Sequence, residues 1–149
     1  MPEIKNSVFV FKVALSSRKR IWRKIAVRGD QTLAILHNAI FSAFDRYDEH
    51  LYSFYFSSKP ASTSRNRLHG ARQYGCPNSE ADDRADRTRI ESLHLELNAR
   101  FDYLFDYGDE WWHEITLEEI QPRRGDVAYP NVIASQGESP AQYPDHEDG

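Results

Sequence analysis

The run LAILHNAIFSAF at residues 33–44 is the one sustained stretch with helical spacing in this chain, and a lone amphipathic helix has to bury its stripe against something other than another helix. Leu33, Leu36, His37, Ile40 and Phe44 share that stripe, with Phe41 beside it. The preceding GDQT at 29–32 offers Asp30 or Thr32 as the cap of the helix start. A sheet is the simplest surface for the helix to cover, and the rest of the sequence supplies strands.

Residues 8–15 alternate Val8, Val10, Lys12 and Ala14 with Phe9, Phe11, Val13 and Leu15, the period of a strand with at least one fully apolar face. SSRKR at 16–20 reads as a polar connection and IWRKIAV at 21–27 as a second strand, together a hairpin. After the helix, DRYDEH at 45–50 forms an exit loop, and LYSFYFS at 51–57 is rich in strand-forming aromatics. ARFDYLF at 99–105 and WWHEITLEEI at 111–120 are the strongest hairpin candidate, joined by DYGDE, where Gly108 is expected to take the positive φ. Thr88 is positioned to cap a short turn through IESL. The fold class that follows is α+β, a mostly antiparallel sheet with a helix packed on one face.

Two stretches resist this reading. Residues 58–87 carry no periodicity and are longer than an ordinary connection, which predicts a polar insertion that is mobile or acts as a binding lid. From 121 to 149 the chain holds Pro122, Pro130, Pro140 and Pro144, so this segment is expected to wrap the outside and not to form a central strand. With no internal repeat or second core, residues 1–149 are expected to make one domain. A 13% aromatic content argues against wholesale disorder despite a mean hydropathy of -0.72.

Charge and cysteine content narrow the function classes. The net charge of -4 disfavours a generic basic nucleic-acid binder. Its distribution is uneven: residues 1–74 hold 13 basic and 5 acidic side chains, residues 75–149 hold 6 and 18, so the halves either attract or present opposite fields. Cys76 is the only cysteine, which excludes an intramolecular disulfide and four-cysteine metal sites. No apolar run approaches the roughly 18 residues of a membrane helix, and the start MPEIKNSVFVFKV lacks the pattern of an export signal. A cytoplasmic protein without membrane association is expected.

The densest cluster of chemistry-bearing residues is DYGDEWWHE, with Asp106 and Asp109 on a turn and His113 opening a strand. Were His37, His50 and His113 to converge with Asp106 or Asp109, imidazoles and one carboxylate would hold zinc or manganese and the other carboxylate would activate water. Each residue also has a plain structural role: turn carboxylates accept backbone hydrogen bonds, and core histidines satisfy one partner. HExxH, paired CxxC, GxGxxG, P-loop and GxSxG patterns are all absent from the sequence. Trp22, Arg23, Tyr107, Trp111 and Trp112 are candidates for a binding surface, since adjacent tryptophans on a strand must face opposite ways. Arg18, Lys19, Arg20, Arg23, Lys24 and Arg28, with Arg65, Arg67 and Arg72, are the candidate phosphate patch, set against contacts to the acidic second half.

In this order, IWRKIAV, TLAILHNAIFSAF, HLYSF and FDYLFDYGDEWWHEITLEEI, the chain resembles the plasmid pRiA4b open-reading-frame-three-like family over residues 8–143. The matching positions are Ile21, Trp22 and Arg23; Thr32, Leu33, Leu36 and His37; His50, Leu51 and Phe54; and Asp106, Gly108, Asp109, Trp111 and His113. Asp45-Arg46 stands where many members have Gly-Trp, Tyr107 replaces a frequent Phe, and Ser139 stands in place of a family cysteine. The resemblance implies a compact α+β domain associated with plasmids or mobile elements, and it implies no particular activity. The leading reading is an interaction or ligand-binding module with a protein or small-molecule partner. Beside it stand a metal-dependent hydrolase using His37, His50, Asp106, Asp109 and His113, and a nucleic-acid-binding accessory protein. No cofactor is expected apart from the divalent ion of the hydrolase reading.

Overall fold

Residues 7–57 and 71–143 are described by the structure, a computed structural model. Its eight strands are β1 (Ser7–Leu15), β2 (Trp22–Arg28), β3 (Tyr52–Phe56), β4 (Arg72–Gly75), β5 (Asp83–Arg84), β6 (Arg100–Phe105), β7 (Trp111–Pro122) and β8 (Asn131–Gln136). They form one sheet in the order β5-β4-β3-β6-β7-β1-β2-β8. Every pairing is antiparallel except that of β4 with β5. The architecture is α+β, with the helix α1 (Leu33–Ala43) on one face.

The alternation in β1 explains why it lies inside the sheet. Phe9, Phe11, Val13 and Leu15 point to the helix side, while Val8 and Val10 meet Ala26 and Tyr129 on the other. A strand buried on both faces needs neighbours on both edges, and β1 has β2 and β7. The chain then leaves β2, passes through α1 and re-enters at β3, spanning β1, β7 and β6. This crossing lays Leu33, Leu36 and Ile40 onto Phe11, Phe54, Phe101, Tyr103, Phe105 and Ile115, all in the same buried cluster.

Of the two candidate caps, Thr32 is the one used: its Oγ1 accepts the Ile35 N–H at 3.3 Å, and Asp30 pairs instead with Arg28. A short 3₁₀ turn at Ile90–Leu93 docks beside this helix start, with Ile90 fully buried and the Leu33 N–H donating to the Thr88 carbonyl. Thr88 does not cap that turn; its hydroxyl donates to the Arg84 carbonyl.

Three local expectations are corrected. The described part of the 58–87 stretch is ordered into β4, β5 and a 3₁₀ turn at Ala85–Arg87, whose strands of four and two residues are too short to show a period; residues 58–70 lie outside the described part. In the β6–β7 turn the left-handed residues are Asp106 at φ 69° and Glu110 at φ 54°, not Gly108. The segment after Pro122 does not simply wrap the outside, since β8 pairs with β2 at the edge before residues 137–143 turn back toward the end of α1.

Losing the Thr32 hydroxyl leaves a helix-start N–H without its partner, so Thr32→Ala is expected to cost about 1 kcal/mol. Thermal unfolding should show a midpoint roughly 2–4 °C lower; an unchanged midpoint would mean the cap carries nothing.

Candidate functional site

The end of α1 presents carbonyls without helical partners, and Arg23 is folded inward to meet them. Its Nε donates to the Ala43 carbonyl at 2.9 Å, and one terminal nitrogen donates to the carbonyls of Trp22 and Gln136. The guanidinium lies 5.0 Å from the Phe44 ring. Arg23 is therefore directed inward and not part of a surface, being 7% exposed with Nε and one terminal nitrogen bonded to α1, β2 and β8.

Past Phe44 the chain turns sharply through Asp45, whose φ of 57° is left-handed, a conformation glycine adopts at least cost. The turn drives Arg46 back into the core. Its guanidinium is ringed by Phe44, Phe105 and Trp111 at 5.0–5.3 Å, and Nη2 donates to His113 Nε2 at 3.1 Å. Nη1 has no partner among the described residues. Burial lowers the Arg46 pKa from 12.5 to about 10, so the group stays charged at neutral pH.

That cation and the surrounding apolar rings decide the state of both core histidines. His113 is fully buried; burial first, then the Arg46 charge, holds its pKa well below the usual value. Its neutral ring donates through Nδ1 to the Tyr103 carbonyl and accepts from Arg46 at Nε2. His37 stacks on Tyr52 with ring centroids 3.7 Å apart. The same two causes, burial and then Arg46, lower its pKa to about 3. The Tyr103 hydroxyl donates to His37 Nδ1 at 2.6 Å, and His37 Nε2 donates to Glu49 at 3.1 Å. A file of Tyr103, His37 and Glu49 thus runs from the centre of the core to an exposed carboxylate.

The third histidine belongs to the rim. His50 Nε2 donates to the Tyr143 hydroxyl at 2.7 Å, which in turn donates to Asp48, and it lies 3.5 Å from Asp106 Oδ2. Asp106 Oδ1 accepts the N–H groups of Gly108 and Asp109. Gln142 straps the loop, its amide oxygen accepting from the N–H groups of Tyr47 and Asp48 and its nitrogen donating to the Asp48 carbonyl.

The five residues expected to form a metal centre are thus divided. His37 and His113 have both ring nitrogens engaged in the core, His50 and Asp106 meet at the rim, and Asp109 stands exposed on the turn. Among the described residues no group of three or more His, Cys, Asp or Glu side chains is placed to hold a metal ion. Sequence reasoning missed Arg46, Tyr103, Glu49 and Gln142. Arg46 alone carried a signal, its departure from the tryptophan that the family resemblance implies at this position.

Trp22, Tyr107 and Trp112 sit on the other side of the sheet, whereas Trp111 covers Arg46 from the helix side. Trp22 stands between Lys12 and Lys24, whose ammonium groups are 5.1 and 5.6 Å from its ring. Trp112 packs on Tyr55 with ring centroids 5.5 Å apart, and the Tyr107 hydroxyl bonds to Ser53. Of the nearby cations, Lys24 pairs with Glu118, and Lys19 and Arg100 with Glu114, while Arg18 and Arg20 stand exposed in the β1–β2 connection with no carboxylate partner among the described residues. Arg28 pairs with Asp30 and Arg72 with Asp83, while Arg65 and Arg67 lie outside the described residues.

One helix on a mostly antiparallel sheet, locked at its C-terminal end by two inward arginines and two neutral histidines, places the chain among α+β domains. A family model described as plasmid pRiA4b ORF-3-like protein matches residues 7–144, and the chain belongs to that family. Among solved structures it is similar to a protein of unknown function from Methanosarcina mazei Go1, at 25% identity and a TM-score of 0.73, over 91% of this chain and 72% of that one. No curated protein matches it. Among the described residues no helix is long and apolar enough to cross a membrane.

Two predictions follow from the network. His37 and His113 fold as neutral rings with lowered pKa values, so the stability they contribute is complete above about pH 6.5 and drains as pH falls toward their folded values. Each should give up to about 1.4 kcal/mol per pH unit in that window. Urea unfolding at a series of pH values checks this, and a flat stability between about pH 6.5 and 4.5 would contradict it. Separately, replacing Asp45-Arg46 by Gly-Trp relieves a left-handed Asp and removes a buried cation lacking one partner. We expect a gain of about 1–3 kcal/mol in urea unfolding, and a lowered midpoint would show that the cage is built for the guanidinium.

Proposed function

We propose that this chain is a protein-binding module in the setting of plasmid or mobile-element biology, with its contact surface on the sheet face opposite α1. The observation that carries this reading is the one-sided placement of the helix. Trp22, Tyr55 and Trp112 stand half-buried on the other face, with Lys12 and Lys24 over the Trp22 ring and Lys19, Lys24 and Arg100 each paired with a carboxylate. Large rigid aromatics rimmed by charge suit a protein partner. A nucleic-acid surface needs cations free to displace counterions, whereas Lys19, Lys24 and Arg100 each face a carboxylate. A hydrolase needs a reactive group open to substrate. Here the buried imidazoles are occupied by Arg46, Tyr103 and Glu49.

The test is affinity capture with the full chain from a lysate of its own source organism, run beside Trp22→Ala and Trp112→Ala. Both variants should keep the wild-type unfolding free energy within about 1 kcal/mol and lose a specific captured protein by about tenfold or more. Capture that survives both substitutions, salt-sensitive binding of a labelled DNA duplex, or metal-dependent ester hydrolysis by the purified chain would each overturn the reading.

A further inference from the structure

The two edges of the sheet are built differently. At one, β5 is only two residues long and both are charged; Asp83 pairs with Arg72 at 2.5 Å and Arg84 with Asp86 at 2.7 Å. A short edge of this kind gives another strand little to pair with. At the opposite edge β8 runs for six residues, NVIASQ, with no charged side chain and no proline, in a chain that is 28% charged. Val132 and Ile133 are 45% and 47% exposed, and β8 pairs only with β2 among the described strands. The register slips between Lys24 and Ile25, which leaves Ile133 without an opposite residue on β2. Such a bulge re-aims the side chain it carries.

Alongside this edge runs α1, and between them lies a groove of about 300 Å³ lined by Asn38, Ala39, Ser42, Pro130, Asn131 and Val132. None of the six is charged. An unpaired strand edge beside a helix-walled groove is the arrangement in which an extended peptide adds a strand. Its main chain bonds to the edge and alternate side chains enter the groove.

The geometry points to β8 and the groove beside α1 as a docking site for an extended, uncharged segment of a partner protein, bound as a ninth strand with an apolar side chain between Ala39 and Val132. The absence of charge selects the occupant. A buried ionic side chain would find no counter-charge in the groove and would retain its full desolvation cost. A polyanion such as nucleic acid finds no cation there either. The site lies on the α1 side and at the edge, apart from the Trp22 and Trp112 surface, so it stands or falls independently of that surface.

The probe is a phage-displayed random peptide library selected on the immobilised full chain. Selected peptides, made synthetically, are titrated into wild type, Val132→Lys, Ala39→Arg and Trp112→Ala, each first checked for an unchanged thermal midpoint. We expect peptides with an uncharged core, whose affinity falls about tenfold or more in Val132→Lys and Ala39→Arg and holds in Trp112→Ala. Amide exchange should slow at residues 131–136 on adding peptide to wild type, a readout that needs no variant. A selection yielding no binder, peptides whose affinity survives both substitutions, or exchange unchanged along β8 would overturn the proposal. So would light scattering that finds a wild-type dimer dissolved by Val132→Lys, since the groove would then belong to a second copy of this chain.

Discussion

Arg23 holds the helix to the sheet by its weakest point. A helix end lying over apolar strands exposes carbonyls that cannot reach water, and the cost of leaving them unmet exceeds what a typical hydrogen bond contributes when formed. A guanidinium supplies several donors at fixed angles, and here one serves the Ala43 carbonyl while another serves β2 and β8. Its positive charge also meets the negative end of the helix dipole. With α1 fixed at that end, Phe44 lies between two guanidiniums, Arg46 is directed inward, and the loop from Tyr47 to His50 has a place to sit.

Much of this was legible from the residues. The 33–44 stripe, the hairpin of β1 with β2 and the hairpin of β6 with β7 are written in regular periods, and each period reports burial directly. What periodicity cannot show is which polar side chain goes inside. Arg23 and Arg46 look like surface cations because nothing local to them says that a helix end or an aromatic cage lies nearby; both partners are brought by the crossing of α1 over three strands. The family motifs did mark the right region. Thr32, His37, Trp111 and His113 lie on the helix or against its end and His50 and Asp106 meet at the rim, yet all serve as caps, turn acceptors and ring partners. Spacing along the chain carried no sign that Tyr103 and Glu49 would occupy the two nitrogens of His37.

Arg46, His37 and His113 close one end of the core, where low dielectric strengthens each hydrogen bond and makes an unpaired group costly. Trp22 and Trp112 stand half-buried on the opposite face. The faces of the sheet and its two edges are unequal, one face covered by α1 and the other by its own long side chains, one edge blunted by charge and the other left neutral.

Gln142 links the tail to the turn after α1 in an unusual way. Its side-chain amide occupies the places a neighbouring strand's peptide group would take, accepting two N–H groups and donating to one carbonyl. The Tyr47 and Asp48 amides are therefore shielded by a side chain from a segment about 95 residues away in sequence and by no element of the sheet. Their NMR signals report tail docking as a local equilibrium, separable from global unfolding, which the amides of β1 report.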